Sequence, residues 1–201
     1  NAGDISTTGI SAFGIYSEVN TGDATITAGD IATTGNYADG IYANLSDPGT
    51  ANLTIVNDHR ITVTGASADG IFLVTLNDHL RIVNTGTISS AQFYGIYATG
   101  TDTIITNSGT ISGPAGAVKF AGTGNTLSLL AGSKIVGVLA GMGGNTLSIG
   151  SRLNTALTYT NTSTVTITTN GIPYVAYGGV LAVVDPTLFA AEDDIVADLS
   201  R

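Results

Sequence analysis

Cysteine and tryptophan are absent from this 201-residue chain, and methionine occurs once. Without cysteine there is neither a disulfide framework nor a thiolate metal site. A chain exported to an oxidising space also runs no risk of stray disulfides. Charge is scarce too: Asp, Glu, Lys and Arg make up 10% of the residues, against roughly 25% in an ordinary soluble domain. Fifteen acids oppose six bases, for a net charge of −9, which argues against binding nucleic acid or an anionic membrane through net charge. No apolar run is long enough to cross a membrane as a helix. The chain begins in mid-pattern at Asn1-Ala2-Gly3-Asp4-Ile5 without an initiator Met, and is expected to be a piece of something longer.

What is present is 27 glycines, many Thr, Ser and Asn residues, and a 43% apolar fraction that is patterned. That patterning separates the chain from disordered polar sequences. Thr103-Ile104-Ile105-Thr106-Asn107-Ser108-Gly109-Thr110-Ile111-Ser112-Gly113 shows the unit: a short strand, an Asn-Ser-Gly turn and a second short strand. Its Ile111 belongs to the series Ile5, Ile31, Ile61, Ile88, Ile111 and Ile135, spaced by 26, 30, 27, 23 and 24 residues. A second series is Gly14-Ile15-Tyr16, Gly40-Ile41-Tyr42, Gly70-Ile71-Phe72 and Gly95-Ile96-Tyr97, with Gly116-Ala117-Val118 as a worn copy. A third runs Ile26, Ile55, Ile82, Ile105, Leu129 and Leu147, and Val138 fills the second place of the sixth cycle. Three strands recurring in fixed order at such a period predict a solenoid.

The expected fold is all-β: a right-handed parallel β-helix with three strands per coil over residues 1–150. Each coil is too thin to bury its own apolar face, so equivalent strands pair with the coil above and below, about 4.8 Å away. The turns are expected to use Gly and Asn for positive φ, which makes Gly14, Gly40, Gly70 and Gly95 structural turn residues. After Gly150 the pattern changes. Thr158 to Thr169 alternates, Asn170-Gly171 signals a hairpin, and Tyr174–Tyr177 and Val180–Val184 read as further strands around Gly178-Gly179. Pro173 argues for an edge. Residues 151–184 are expected to cap the open end of the ladder, with Val165, Ile167, Val175 and Val183 lying over the last coil. Asp185-Pro186 predicts an N-cap and first turn of a terminal helix through residue 201.

The coils with Asn-x-Gly-x-Ile, the segments Gly124-Asn125-Thr126-Leu127-Ser128-Leu129 and Gly144-Asn145-Thr146-Leu147-Ser148-Ile149, and Leu181-Ala182-Val183-Val184-Asp185-Pro186-Thr187 together resemble the passenger domains of Gram-negative autotransporters (type V secretion), of the pertactin-like kind. The resemblance covers essentially the whole chain. It implies display at the bacterial cell surface after secretion through the outer membrane, and residues from about 130 to 184 as an autochaperone-like stabilising region. Residues 185–201 would then start the linker helix toward the protein's own C-terminal outer-membrane barrel. The protease members' Gly-Asp-Ser-Gly motif does not occur. The function expected is that of a stalk and adhesive surface in cell adhesion, virulence or self-association, with a host-cell receptor, a glycan or a neighbouring passenger as partner. One alternative is a purely structural membrane-proximal stem.

The other alternative is a glycan-active enzyme. Asp39 and Asp69 both precede a Gly-Ile pair, one coil apart, near the carboxylate separation of about 5–5.5 Å in a retaining glycosidase. Both also sit in Ala-Asp-Gly, where Asp is the expected turn former, so no catalytic residue is assigned. The histidines of Asn57-Asp58-His59 and Asn77-Asp78-His79 could bind a metal or move protons, but they fall at different places in their coils and read as turns. In Gly141-Met142-Gly143-Gly144-Asn145 an amide stands where a calcium β-roll needs a carboxylate. No metal or cofactor is expected. The candidate binding residues are Tyr16, Tyr42, Phe72 and Tyr97: if the preceding isoleucines point inward, alternation sends the aromatic rings outward. With the opposite parity the rings would fill the core.

Overall fold

A computed structural model describes residues 3–46, 51–75, 80–161 and 164–188. Among them the chain is all-β, wound as a parallel solenoid with three sheets. The first sheet stacks β1 (Ile5–Thr7), β4 (Ile31–Thr33), β7 (Arg60–Val63), β10 (Thr87–Ser90), β13 (Thr110–Ser112) and β16 (Lys134–Val136). The second stacks β2 (Ile15–Val19), β5 (Ile41–Leu45), β8 (Ile71–Thr75), β11 (Tyr94–Ala98), β14 (Gly116–Phe120) and β17 (Leu139–Ala140). The third stacks β3 (Ala24–Thr27), β6 (Leu53–Asn57), β9 (Leu80–Asn84), β12 (Ile104–Asn107), β15 (Thr126–Leu129), β18 (Thr146–Ile149) and β20 (Thr166–Thr168). Six rungs in the first two sheets amount to about five turns.

Register follows the isoleucines. Ile5, Ile31, Ile61, Ile88, Ile111 and Ile135 pair in succession, and so do Ile15, Ile41, Ile71, Ile96 and Val118. From Ile31 and Ile41 onward these side chains are buried almost completely until the last coils, and each fully buried one is worth about 1.5–3 kcal/mol. Two assignments shift. Ile105 pairs with Leu127, which pairs with Leu147, while Leu129 pairs with Asn107 and Ile149. Both leucines point inward, so the period of two admits either. In the sixth coil Leu139, not Val138, meets Val118.

Polar ladders hold the corners. Asn57 Nδ2 donates to Asn84 Oδ1 at 2.7 Å, and Asn84 Nδ2 to Asn107 Oδ1 at 2.6 Å. Each also donates to a carbonyl of its own turn: His59, Gly86 and Gly109. Farther along, Asn125 Oδ1 accepts from Thr103 N–H and Asn145 Oδ1 from Asn125 N–H, both at 2.8 Å. Asn145 thus braces its corner, with Nδ2 given to the carbonyls of Gly122, Gly141 and Gly143.

The far end departs from the expected hairpin. The segment before Asn170-Gly171 does not fold back on the one after it: β20 continues the third sheet beside β18, through Leu147 and Ile167. Tyr159 likewise makes a parallel bridge to Leu139. A separate antiparallel sheet forms from β19 (Thr155–Thr158), β22 (Val180–Val183) and β21 (Tyr174–Tyr177), in that order, with β21 at the edge after Pro173. Its tight hairpin is the Gly178-Gly179 turn, where both glycines have positive φ. Leu157, Leu181 and Val183 of this sheet are buried in the core, whereas Val175, expected to cover the last coil, is 70% exposed. Asp185 is built as an N-cap: its Oδ1 accepts from the N–H and hydroxyl of Thr187. Those hydrogen bonds, with another from Arg152 N–H, hold its carboxyl below the usual range. The terminal helix expected beyond it falls, after Leu188, outside the described residues.

Candidate functional site: an aromatic row over two buried carboxylates

The second sheet carries the candidate site. Ile41, Ile71 and Ile96 are buried, and the residues that follow them face out. Tyr16, Tyr42, Phe72 and Tyr97 occupy successive rungs of one register. Their ring centroids lie 5.3, 5.5 and 5.1 Å apart. Tyr16 is 58% exposed, and the other three are half-buried by their neighbours in the row. Lys119 takes the next outward place beside Tyr97.

Gly14, Gly40, Gly70 and Gly95 do lie at the corner before this sheet, but for a reason other than positive φ, which none of them has. A Cβ on Gly70 would run into the carbonyl of Gly95 and Cγ2 of Ile88; on Gly40 it would meet the carbonyl of Gly70 and Cγ2 of Ile61. They let one coil press on the next. The left-handed positions of this corner are taken by Ser11, Tyr37 and Ser67, with φ of 52°, 55° and 51°.

The position before each of these glycines forms its own column: Phe13, Asp39, Asp69 and Tyr94. Asp69 N–H donates to Asp39 Oδ1 at 2.7 Å, and Tyr94 N–H to Asp69 Oδ1 at 3.0 Å. Thr33 Oγ1 donates to the carbonyl of Ala38 and Ser90 Oγ to that of Ala68, fixing the backbone just ahead of each aspartate. These carboxylates are not the solvated turn residues their Ala-Asp-Gly context suggests. They are 5% and 4% exposed. Burial raises the carboxyl of Asp39 to about 6, and burial together with the charge of Asp39 raises Asp69 to about 7.

An open groove of about 310 Å³ joins these parts. Asp39 and Asp69 line it with Tyr42, Phe72 and Tyr97 of the row, and Phe13 and Phe93 reach in from either end. Ser11, Tyr37 and Ser67 form its lip. Phe13 lies 5.1 Å from Tyr42, and Tyr94 links Phe93 to Tyr97 through centroid distances of 4.7 and 5.5 Å. Phe13, Phe93 and Tyr94 were not singled out from the sequence, although Phe13 and Tyr94 share the aspartates' place before Gly-Ile.

Asn57-Asp58-His59 does not line this groove. His59 Nδ1 lies 2.7 Å from Asp58 Oδ1 on an exposed turn, and the carboxylate raises the imidazole's pKa. His79 lies outside the described residues. Among the described residues no three His, Cys, Asp or Glu side chains converge as a metal site would require.

The fold places the chain in the class of parallel β-solenoids. Set against protein-family models, curated proteins and solved structures, it matches none.

Proposed function

We propose that this chain belongs to a surface-displayed passenger of the autotransporter kind and works as a stalk carrying an adhesive face. The observation that carries the reading is the aromatic row. Four rings on consecutive rungs stand outside a core that the isoleucines already fill, so packing does not require them. Contiguous apolar surface of this kind marks an interaction site, and tyrosine offers area and a hydroxyl with little entropy to lose. A regular stack repeats weak contacts, and repetition converts them into avidity. Partners would be a receptor on another cell or the same face of a neighbouring passenger.

We assign no catalysis to Asp39 and Asp69. Each commits one oxygen to the next coil's backbone, an arrangement that supports holding the corner rather than turning over a substrate.

The test is Tyr42→Ser, Phe72→Ser and Tyr97→Ser combined, assayed for adhesion to host cells and for self-association by sedimentation. Folding should persist by circular dichroism, with each lost ring pair costing about 0.5–1.5 kcal/mol, and binding should fall at least tenfold. Undiminished binding by the folded variant would sink the adhesive reading.

A further inference from the structure

The groove contains two carboxylates and no basic side chain. Among the described residues neither acid forms an ion pair. Each is steadied by one backbone N–H, which leaves its second oxygen uncommitted. Buried carboxylates without a counter-charge are expensive to ionise, and a cation brought between them relieves both their desolvation and their mutual repulsion.

The rings supply a separate argument. The faces of Tyr and Phe attract cations, and aromatic side chains flank the acids along the coil axis as well as beside them. Phe13 and Tyr94 continue the aspartate column, and Tyr42 and Phe72 rise from the same two coils. The row changes orientation at this step. Tyr16 and Tyr42 lie nearly parallel at 7°, whereas Tyr42 and Phe72 cross at 80°. Both of the crossed rings line the groove together with the two acids.

We propose that this groove receives the guanidinium of an arginine from a partner protein, laid against the aromatic wall and hydrogen-bonded to the second oxygens of Asp39 and Asp69. The proposal rests on the adhesive reading and names what that surface recognises. Arginine fits better than lysine because its cation is flat, weakly hydrated and forked, and can stack and reach two carboxylates together. A neutral sugar would leave the acids without a counter-charge, and an anion would be repelled. Arginine in an aromatic pocket is also a recurring anchor of protein interfaces.

The experiment titrates the whole chain, carrying 13C-labelled aromatic rings, with N-acetyl-arginine methylamide, its lysine and citrulline counterparts, and methyl glucoside. Arginine should give saturable shifts at Tyr42, Phe72 and Tyr97, lysine at least fivefold weaker ones, and citrulline and the glucoside none. Arginine binding should strengthen about tenfold from pH 5 to pH 8 as Asp39 and Asp69 ionise. The other titratable groups of the lining are the phenols of Tyr37, Tyr42 and Tyr97. Asp39→Asn with Asp69→Asn, which retains the oxygens that accept the backbone N–H groups, should abolish the response. If that variant fails to fold, the citrulline and pH comparisons on the unaltered chain still decide. Citrulline or the glucoside binding as well as arginine, or no pH dependence, overturns the proposal. Adhesion lost in the serine variant with no arginine response would overturn this site alone and leave the adhesive reading standing.

Discussion

Asp39 and Asp69 are the residues whose environment departs furthest from what their neighbours in the chain suggest. Both carboxyls are raised above the ordinary aspartate value, to about 6 and about 7. The folded state therefore holds more protons than the unfolded one between roughly pH 4 and 7, and stability falls as pH rises through that window. We expect the melting temperature to drop from pH 5 to pH 8. Asp69→Asn should remove much of that slope and stabilise the protein at pH 8 by on the order of 1–3 kcal/mol. His59, also raised, slopes in the same direction, so the comparison belongs in a His59→Gln background. An unchanged slope would mean that the acids are better solvated than their burial implies. Gly70 makes a second prediction at this scale. Its Cβ would strike the next coil, so Gly70→Ala should cost about 1–3 kcal/mol by overpacking, whereas Gly22→Ala, with open space around it but φ of +74°, tests the backbone penalty by itself. Urea melts of the two separate steric from conformational cost.

Between residue and molecule stand the ladders. The isoleucine columns were legible because a β-branched residue recurs once per coil and a slip of one place would turn a whole strand inside out. The same rule explains what was misplaced: Leu127 and Leu129 both satisfy it, and the choice between them depends on how much chain the corner consumes. The outward parity of Tyr16, Tyr42, Phe72 and Tyr97 was legible from alternation. The burial of the aspartates was not, because it arises from stacked corners rather than from residues near them in sequence. The asparagine ladder is the element-scale counterpart. Asn84 both gives to Asn107 and receives from Asn57 inside the core, so Asn84→Ala leaves Asn107 Oδ1 without its donor and takes from Asn57 its shortest acceptor. A loss of about 2–4 kcal/mol is expected by chemical denaturation. A loss under 1 kcal/mol would show that water or relaxation replaces the ladder.

At the scale of the molecule the interest lies in the ends. The hairpin signal at Asn170-Gly171 misled because a turn of the right chemistry links two different sheets here, and nothing local to the turn tells which partner a strand will take. The third sheet runs one rung beyond the other two, and the antiparallel sheet lays Leu157, Leu181 and Val183 over the core. Ending the chain at Gly150 would strip that cover and expose the paired edge of β18. We expect a lower melting temperature and aggregation by light scattering. A monomeric 1–150 chain that melts unchanged would show the cover to be dispensable.

A stack of coils in which each touches chiefly the next also has a mechanical character. The first coil and the cap lie at opposite ends of the stack, so a pull on the two termini loads the coils in series. Under tension the chain should surrender one coil at a time. Coils of 23 to 30 residues each release roughly 80–100 Å of slack when drawn out straight. A solenoid built this way lengthens by instalments when its ends are pulled, and each release relaxes the tension on the coils that are still wound.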